Sequence, residues 1–341
     1  MSSRACVVVT SLALLWFSAF MTAAESSQDE KPMGDTNDPQ VDIPSLQQRA
    51  HAGDARAEYL LGLSYLTGAG VSQNYKEAAR YFREAAAQAS PDAEFLLGYL
   101  YEQGKGVPQD YKQAVVYYTV AAQKGHSTAE NNLGSMYENG RGVPKNIRQA
   151  EHWYRFAAEQ GEVTAQCNLA SLYFRGKGIR RNYSEAAQWF GKAAEHGYAP
   201  AQEDVGWMYF TGTGVQKDYS KAAHWIQMAA VGGYSRAQLD LGYLYEQGKG
   251  VPLNYVTAYT WFKAAASGGE KRAASKLKRL STVMTKEQIN QASMAADQLS
   301  NSLPKVAGAD DSKSIGNSFI RPRVMSRWGS ANLALGLLPD R

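Results

Sequence analysis

The chain has 341 residues, with 36 Lys or Arg against 32 Asp or Glu and a formal net charge of +4. That excess is too small and too evenly spread to suggest nucleic-acid binding. Aromatic side chains are abundant, 21 Tyr and 7 Trp, so any helical arrangement must bury large rings between neighbouring elements.

In chain order, residues 1–24 read as an export signal. Arg4 supplies the positive charge, Ala5 to Met21 is almost wholly apolar, and Thr22, Ala23 and Ala24 offer the small residues that signal cleavage requires. The alternative is an uncleaved anchor, although the apolar run is slightly short of the roughly 20 residues that span a bilayer. Cleavage after Ala24 removes Cys6 and leaves Cys167 without a disulfide partner in its own chain, so stability must come from packing. No second apolar run could span a membrane. Residues 25–44 are acidic and rich in Gln, Pro and Asp, and they read as a linker.

From residue 45 to residue 268 one pattern repeats. Paired glycines stand at Gly68/Gly70, Gly104/Gly106, Gly140/Gly142, Gly176/Gly178, Gly212/Gly214 and Gly248/Gly250, always 36 residues apart. A period of this size marks stacked supersecondary units. In the first unit, taken as 53–88, Ala57, Leu60, Leu61 and Tyr65 form one face of a helix. Gly62 removes a side chain where a second helix must cross closely. The glycine loop then ends the first helix, with Val71 as its apolar anchor.

A second helix opens on Asn74, and the equivalent residues are Asp110, Asn146, Asn182, Asp218 and Asn254, all strong N-caps. Glu77, Gln113, Gln149 and Glu185 stand three residues further on, the spacing of a capping box. Alanine pairs near the end of each second helix, such as Ala85-Ala86 and Ala121-Ala122, leave room for the next unit. Phe82, Trp153, Trp189, Trp225 and Trp261 are expected to fill the remaining space. Residues 269–300 continue as a helical cap, with Thr285 and Gln288 spaced for a last capping box. Residues 301–341 lack helical periodicity and read as mostly disordered, with a short apolar run at Leu333 to Leu338. The fold class expected is all-α: an α-solenoid of six 36-residue helix hairpins plus a C-terminal capping helix pair.

The unit A-x-x-x-L-G-x-x-Y, G-x-G-V, [ND]-Y, A, [WY]-[FY], AA, G resembles the Sel-one-like repeat, a relative of the tetratricopeptide repeat with a longer loop inside each hairpin. The resemblance implies a right-handed superhelix with a concave face, and an adaptor that scaffolds protein complexes or signalling at membranes and cell envelopes. Cysteine-rich members carry a disulfide in each hairpin, and some were once labelled β-lactamases; this chain lacks those cysteines.

In that geometry the first helices line a groove, and the positions that vary between units are the informative ones. Tyr59, Phe95 and Asn131 belong to one such set, with Cys167, Glu203 and Leu239. Tyr99, Trp207 and Tyr243 belong to a second set four residues on, and Asn132 and Asn168 lie beside them. Aromatic rings and amides suit a peptide backbone. These eight (Tyr59, Phe95, Tyr99, Asn131, Asn132, Asn168, Trp207, Tyr243) are the candidate partner-binding residues. They are also the positions where ordinary solvated or packing residues would fall.

Catalytic readings fare poorly. The Gly-x-Gly pairs follow no strand and lack a third glycine, so they are turns and not nucleotide loops. Ser275 and Lys278 have S-x-x-K spacing but no S-D-N or K-T-G partner. His152 and His224 are 72 residues apart in equivalent positions, and no metal-ligand cluster is visible. Neither a catalytic residue nor a cofactor or metal is expected. The leading expectation is an exported adaptor, periplasmic or secreted, that takes a protein or peptide partner and neither nucleic acid nor a small-molecule substrate. A structural spacer of the envelope is the alternative, and a penicillin-interacting hydrolase the third reading.

Overall fold

The structure is a computed structural model that describes residues 42–303. The export signal, most of the segment 25–44, the tail beyond residue 303 and its Leu333–Leu338 run lie outside the described residues. Those described form fifteen helices and no strand. They fall into two compact units, residues 42–162 and residues 163–303, each described by itself.

Unit 42–162 contains α1 (Ile43–His51), α2 (Ala55–Thr67), α3 (Tyr75–Ala87), α4 (Pro91–Gln103), α5 (Tyr111–Gln123), α6 (Ser127–Asn139) and α7 (Ile147–Glu159). Helix α1 starts inside the segment expected as linker; Asp42 caps it, and Leu46 buries against α2. The hairpins are α2–α3, α4–α5 and α6–α7. Each second helix starts on the expected cap: Asn74 accepts from the backbone N–H of Lys76 and Glu77, and Asp110 from Lys112 and Gln113. Each first helix stops at a left-handed glycine, for example Gly68 at φ 84°.

Unit 163–303 contains α8 (Val163–Arg175), α9 (Tyr183–Glu195), α10 (Ala199–Thr211), α11 (Tyr219–Val231), α12 (Ser235–Gln247), α13 (Tyr255–Ser267), α14 (Ala273–Leu280) and α15 (Lys286–Ser302). Its hairpins are α8–α9, α10–α11 and α12–α13, followed by the capping pair. Thr285 and Gln288 close a capping box in both directions. Helix α15 lies on α13, where Ala292 and Ala296 are buried and Lys263 bridges to Asp297 at 3.0 Å. No described helix is long and apolar enough to cross a membrane.

Two kinds of close approach hold the hairpins. Within a hairpin, a Cβ at Gly98 would stand 2.8 Å from the Tyr118 ring, and one at Gly134 2.6 Å from the Tyr154 ring. Between hairpins, Gly106 sits at φ +71° with no room for a Cβ beside the Tyr75 carbonyl; Gly142 does the same against Tyr111, Gly214 against Tyr183 and Gly250 against Tyr219. The second glycine of each of these pairs thus seats its loop on the preceding hairpin. This explains the fixed spacing better than turn formation alone.

Two expectations need correction. Phe82 fills the first hairpin as expected, and Trp189 and Trp261 are buried, but the column that fills every hairpin is that of Phe82 and not that of the tryptophans: Phe82, Tyr118, Tyr154, Phe190, Ile226 and Phe262 are at most 3% exposed. Trp153 and Trp225 are half-buried, because the later position is the one aimed at the first-helix glycine. The carboxylates expected to complete capping boxes are engaged differently. Glu77 pairs with Arg80 at 2.9 Å, and Glu185 accepts from Trp189 Nε1 at 3.1 Å.

Candidate functional site

The first helices place the candidate residues on two faces, one in each unit. In unit 42–162, Tyr59 is half-buried, with its ring 6.1 Å from that of Phe82. Burial, and then the charge of Asp92, push its phenol well above the usual range. Phe95 is buried and stacks on His126 at 4.6 Å, which in turn meets Asp92 at 3.3 Å. Tyr99 is buried, and its hydroxyl accepts from Lys105 Nζ at 3.3 Å. Asn131 donates to Asn132 at 3.4 Å, both buried. Tyr118 donates to Glu102 Oε2 at 2.7 Å. Part of the amide capacity predicted for a peptide is therefore used inside the protein. The face is aromatic, with Lys105 and Arg141 at its loop edge; Arg141 lies 3.8 Å from Glu102.

In unit 163–303, Asn168 and Trp207 are half-buried. The Trp207 ring meets Phe174 edge-on at 6.0 Å. Tyr243 is buried, edge-on to Phe262 at 5.5 Å, with Lys276 Nζ 4.3 Å over its ring. Around it runs a charged layer. Glu203 on α10 meets Arg236 on α12 at 2.7 Å, Glu246 on α12 pairs with Arg279 on α14, and Glu270 pairs with Arg272 at 2.9 Å. Burial first, then the charge of Arg279, lowers the Lys276 ammonium from its ordinary value. Asp240 lies in the middle of this layer, fully buried.

The eight candidates thus divide. Tyr59, Phe95, Tyr99, Asn131 and Asn132 share one face, and Asn168, Trp207 and Tyr243 the other. Tyr59, Asn168 and Trp207 keep the most accessible surface. The charged layer was missed, yet a signal for it exists. Reading the sequence in columns of 36 gives Leu60, Leu96, Asn132, Asn168, Asp204 and Asp240, a drift from apolar to acidic.

The rejected motifs sit in structural roles. Ser275 donates to the Arg272 carbonyl at 2.9 Å and Lys278 is exposed. His152 is exposed and packs edge-on against Phe156 at 4.7 Å. Cys167 is buried and forms no disulfide. Among the described residues no group of three or more His, Cys, Asp or Glu is placed to hold a metal ion.

A family model for the Sel1 repeat matches six consecutive segments: residues 55–90, 91–126, 127–162, 163–198, 199–234 and 235–270. Among solved structures, a Sel1 repeat protein from Oxalobacter formigenes is 33% identical, covers 71% of this chain and 96% of its own, and superposes with a TM-score of 0.59. A protective antigen present in uropathogenic Escherichia coli strains, displaying an SLR fold, is 29% identical with a TM-score of 0.52, covering 82% of this chain and 68% of its own. No curated protein matches the sequence. Six matched repeats over one uninterrupted stretch establish that the chain belongs to the Sel1 repeat family, an all-α solenoid.

Proposed function

We propose that this protein is an exported adaptor that holds protein or peptide partners on its first-helix faces, in the periplasm or outside the cell, and that it is not an enzyme. Sel1 repeat proteins generally mediate protein–protein interaction. The observation that carries the reading is the contrast between columns. The core columns repeat from unit to unit, as in the Ala57, Ala93, Ala129, Ala165, Ala201 and Ala237 series, whereas the columns of Tyr59 and Leu63 change identity at nearly every repeat. Repeating columns satisfy packing, and variable ones on a common face suit a particular partner. The apolar leader at residues 5–21 supports export, as does the existence of a relative that is a protective antigen.

The test is site-specific photocrosslinking in cells. A photoreactive residue at Tyr59, Asn168 or Trp207 is expected to trap the same discrete protein species. One at the exposed second-helix residue Val116 is expected to trap none of it. Equal trapping from Val116 would remove the first-helix assignment. Intact-mass measurement of the mature chain tests export, with Glu25 expected as the first residue.

A further inference from the structure

Asp240 is fully buried on α12, and neither of its carboxyl oxygens meets a hydrogen-bond donor. Beside it lies the carboxyl of Glu203 on α10, itself 2% exposed. Arg236 faces the pair from α12, and its electrostatic neighbours include Tyr234 and Asp204 as well as both acids. From the third side comes Arg272, which also faces Asp240 but is clasped by Glu270 through two bonds of 2.9 Å. Further groups of this layer are engaged elsewhere. Glu246 is paired with Arg279, and Lys276 stands over the Tyr243 ring.

Glu270 occupies Arg272, so the two buried carboxyls Glu203 and Asp240 share the one guanidinium of Arg236, which half-buried Asp204 also faces, and full ionisation leaves a buried negative charge in excess. Two ionised carboxylates side by side also repel, and being acceptors only they cannot bond to each other. A single proton removes both difficulties, because it cancels the excess and makes one acid a donor to the other. Burial first, then the neighbouring Glu203 charge, raises Asp240 well above the ordinary carboxylate range, which agrees with this geometry.

We propose that Glu203 and Asp240 hold one shared proton at neutral pH, making the junction of α10, α12 and α14 a proton-binding site whose packing loosens when the proton leaves. The sign is fixed by linkage. A group whose folded-state affinity for a proton is raised contributes stability that is full below its unfolded pKa, and this is lost as pH rises through the folded value.

Infrared difference spectroscopy of the full chain tests the assignment. At neutral pH the spectrum of the native protein minus that of Asp240→Asn is expected to show the carbonyl stretch of a protonated carboxyl. Glu203→Gln is expected to lose the same band, because its amide then donates to an ionised Asp240. Glu246→Gln, in the same layer but outside the pair, is expected to keep it. Urea midpoints are expected to fall from neutral to alkaline pH in the native chain and to stay level in Asp240→Asn. A native spectrum without the band at neutral pH overturns the proposal even if a variant fails to fold. So does a native urea midpoint that is level across the same pH range.

Discussion

Units 42–162 and 163–303 carry the same hairpin and spend their buried polar groups differently. In the first, Glu58, Glu94 and Glu130 tie the two helices of one hairpin together: Gln88 donates to Glu58 at 2.9 Å, Lys124 to Glu94 at 2.6 Å and Gln160 to Glu130 at 2.7 Å. In the second, the same column reads Gln166, Gln202 and Gln238. There Gln202 donates to the Ala194 carbonyl and Gln238 to that of Ala230, both at 3.2 Å, so the tie runs back to the preceding hairpin. A second pair of columns shows the same economy. Glu102 with Tyr118 and Glu138 with Tyr154 are hydrogen-bonded at 2.7 and 2.9 Å, while the corresponding pairs Leu66 with Phe82, Phe174 with Phe190 and Phe210 with Ile226 are apolar on both sides. The exception is Glu246 opposite Phe262, and that acid turns instead to Arg279. Polarity at one column is thus matched at another, since a buried acceptor without a donor is costly.

The largest expected effect tests whether the scaffold is common to both units. Gly142→Ala and Gly250→Ala both place a methyl group on the preceding hairpin's backbone at positive φ. Each is expected to cost roughly 3 to 5 kcal/mol from left-handed strain and overpacking together. Gly125→Ala, at φ +80° with nothing within 4 Å, is expected to cost only about 1 kcal/mol. Hydrogen exchange resolved by helix measures all three. A cheap Gly250→Ala beside a costly Gly142→Ala would show that the two units are not built alike.

Next comes the matched pair. Tyr118→Phe removes one donor from a Glu102 carboxyl that is only 5% exposed and is expected to cost about 1 to 3 kcal/mol. Adding Glu102→Leu recreates the Leu66–Phe82 arrangement of the first hairpin and is expected to recover most of the loss. A double-mutant cycle in urea reads the coupling. Strict additivity would break the column argument.

A gain is expected at Ala89. Five hairpins turn into the next through a glycine, Gly125, Gly161, Gly197, Gly233 and Gly269, all at φ between 80° and 90°; the first uses Ala89, a non-glycine at φ 66°. Ala89→Gly is expected to stabilise the first hairpin by up to about 1 kcal/mol, seen as slower amide exchange in α3 and α4.

What was legible in the sequence was local or periodic. The Asn and Asp caps, the glycine stops and the alanine columns follow from the chemistry of one residue and its neighbours, so the hairpin could be read directly. The filler was placed correctly at Phe82 but one position early at Trp153, because Trp153 attracts attention by size whereas burial depends on which side chain points at Gly134. Helix α1 went unseen because its cap Asp42 and its first-turn Pro44 fall within the segment that reads as linker. At the candidate site the columns were found, but their internal use was not. Tyr118 with Glu102 spans 16 residues and Glu58 with Gln88 spans 30, separations at which helical spacing carries no information until the hairpin is closed.

The smallest expected effect converts one unit's device into the other's. Burial raises the Glu130 carboxyl above its ordinary value, while the bond from Gln160 pulls it part of the way back. The folded state therefore holds that proton more tightly than the unfolded chain. Stability from this group is full below the range in which the unfolded chain's carboxyl titrates and is lost as pH rises through the folded value. Glu130→Gln installs the amide found at Gln166, Gln202 and Gln238, and its carbonyl still accepts from Gln160. The variant is expected to match the native chain in acid and to exceed it by less than about 1 kcal/mol at neutral pH, the size of one ordinary hydrogen-bond difference. Urea titrations at the two pH values measure this. A Glu130→Gln chain less stable than native at neutral pH would mean that the carboxylate strengthens the Gln160 bond by more than its own burial costs, and the two units would then differ in strength as well as in wiring.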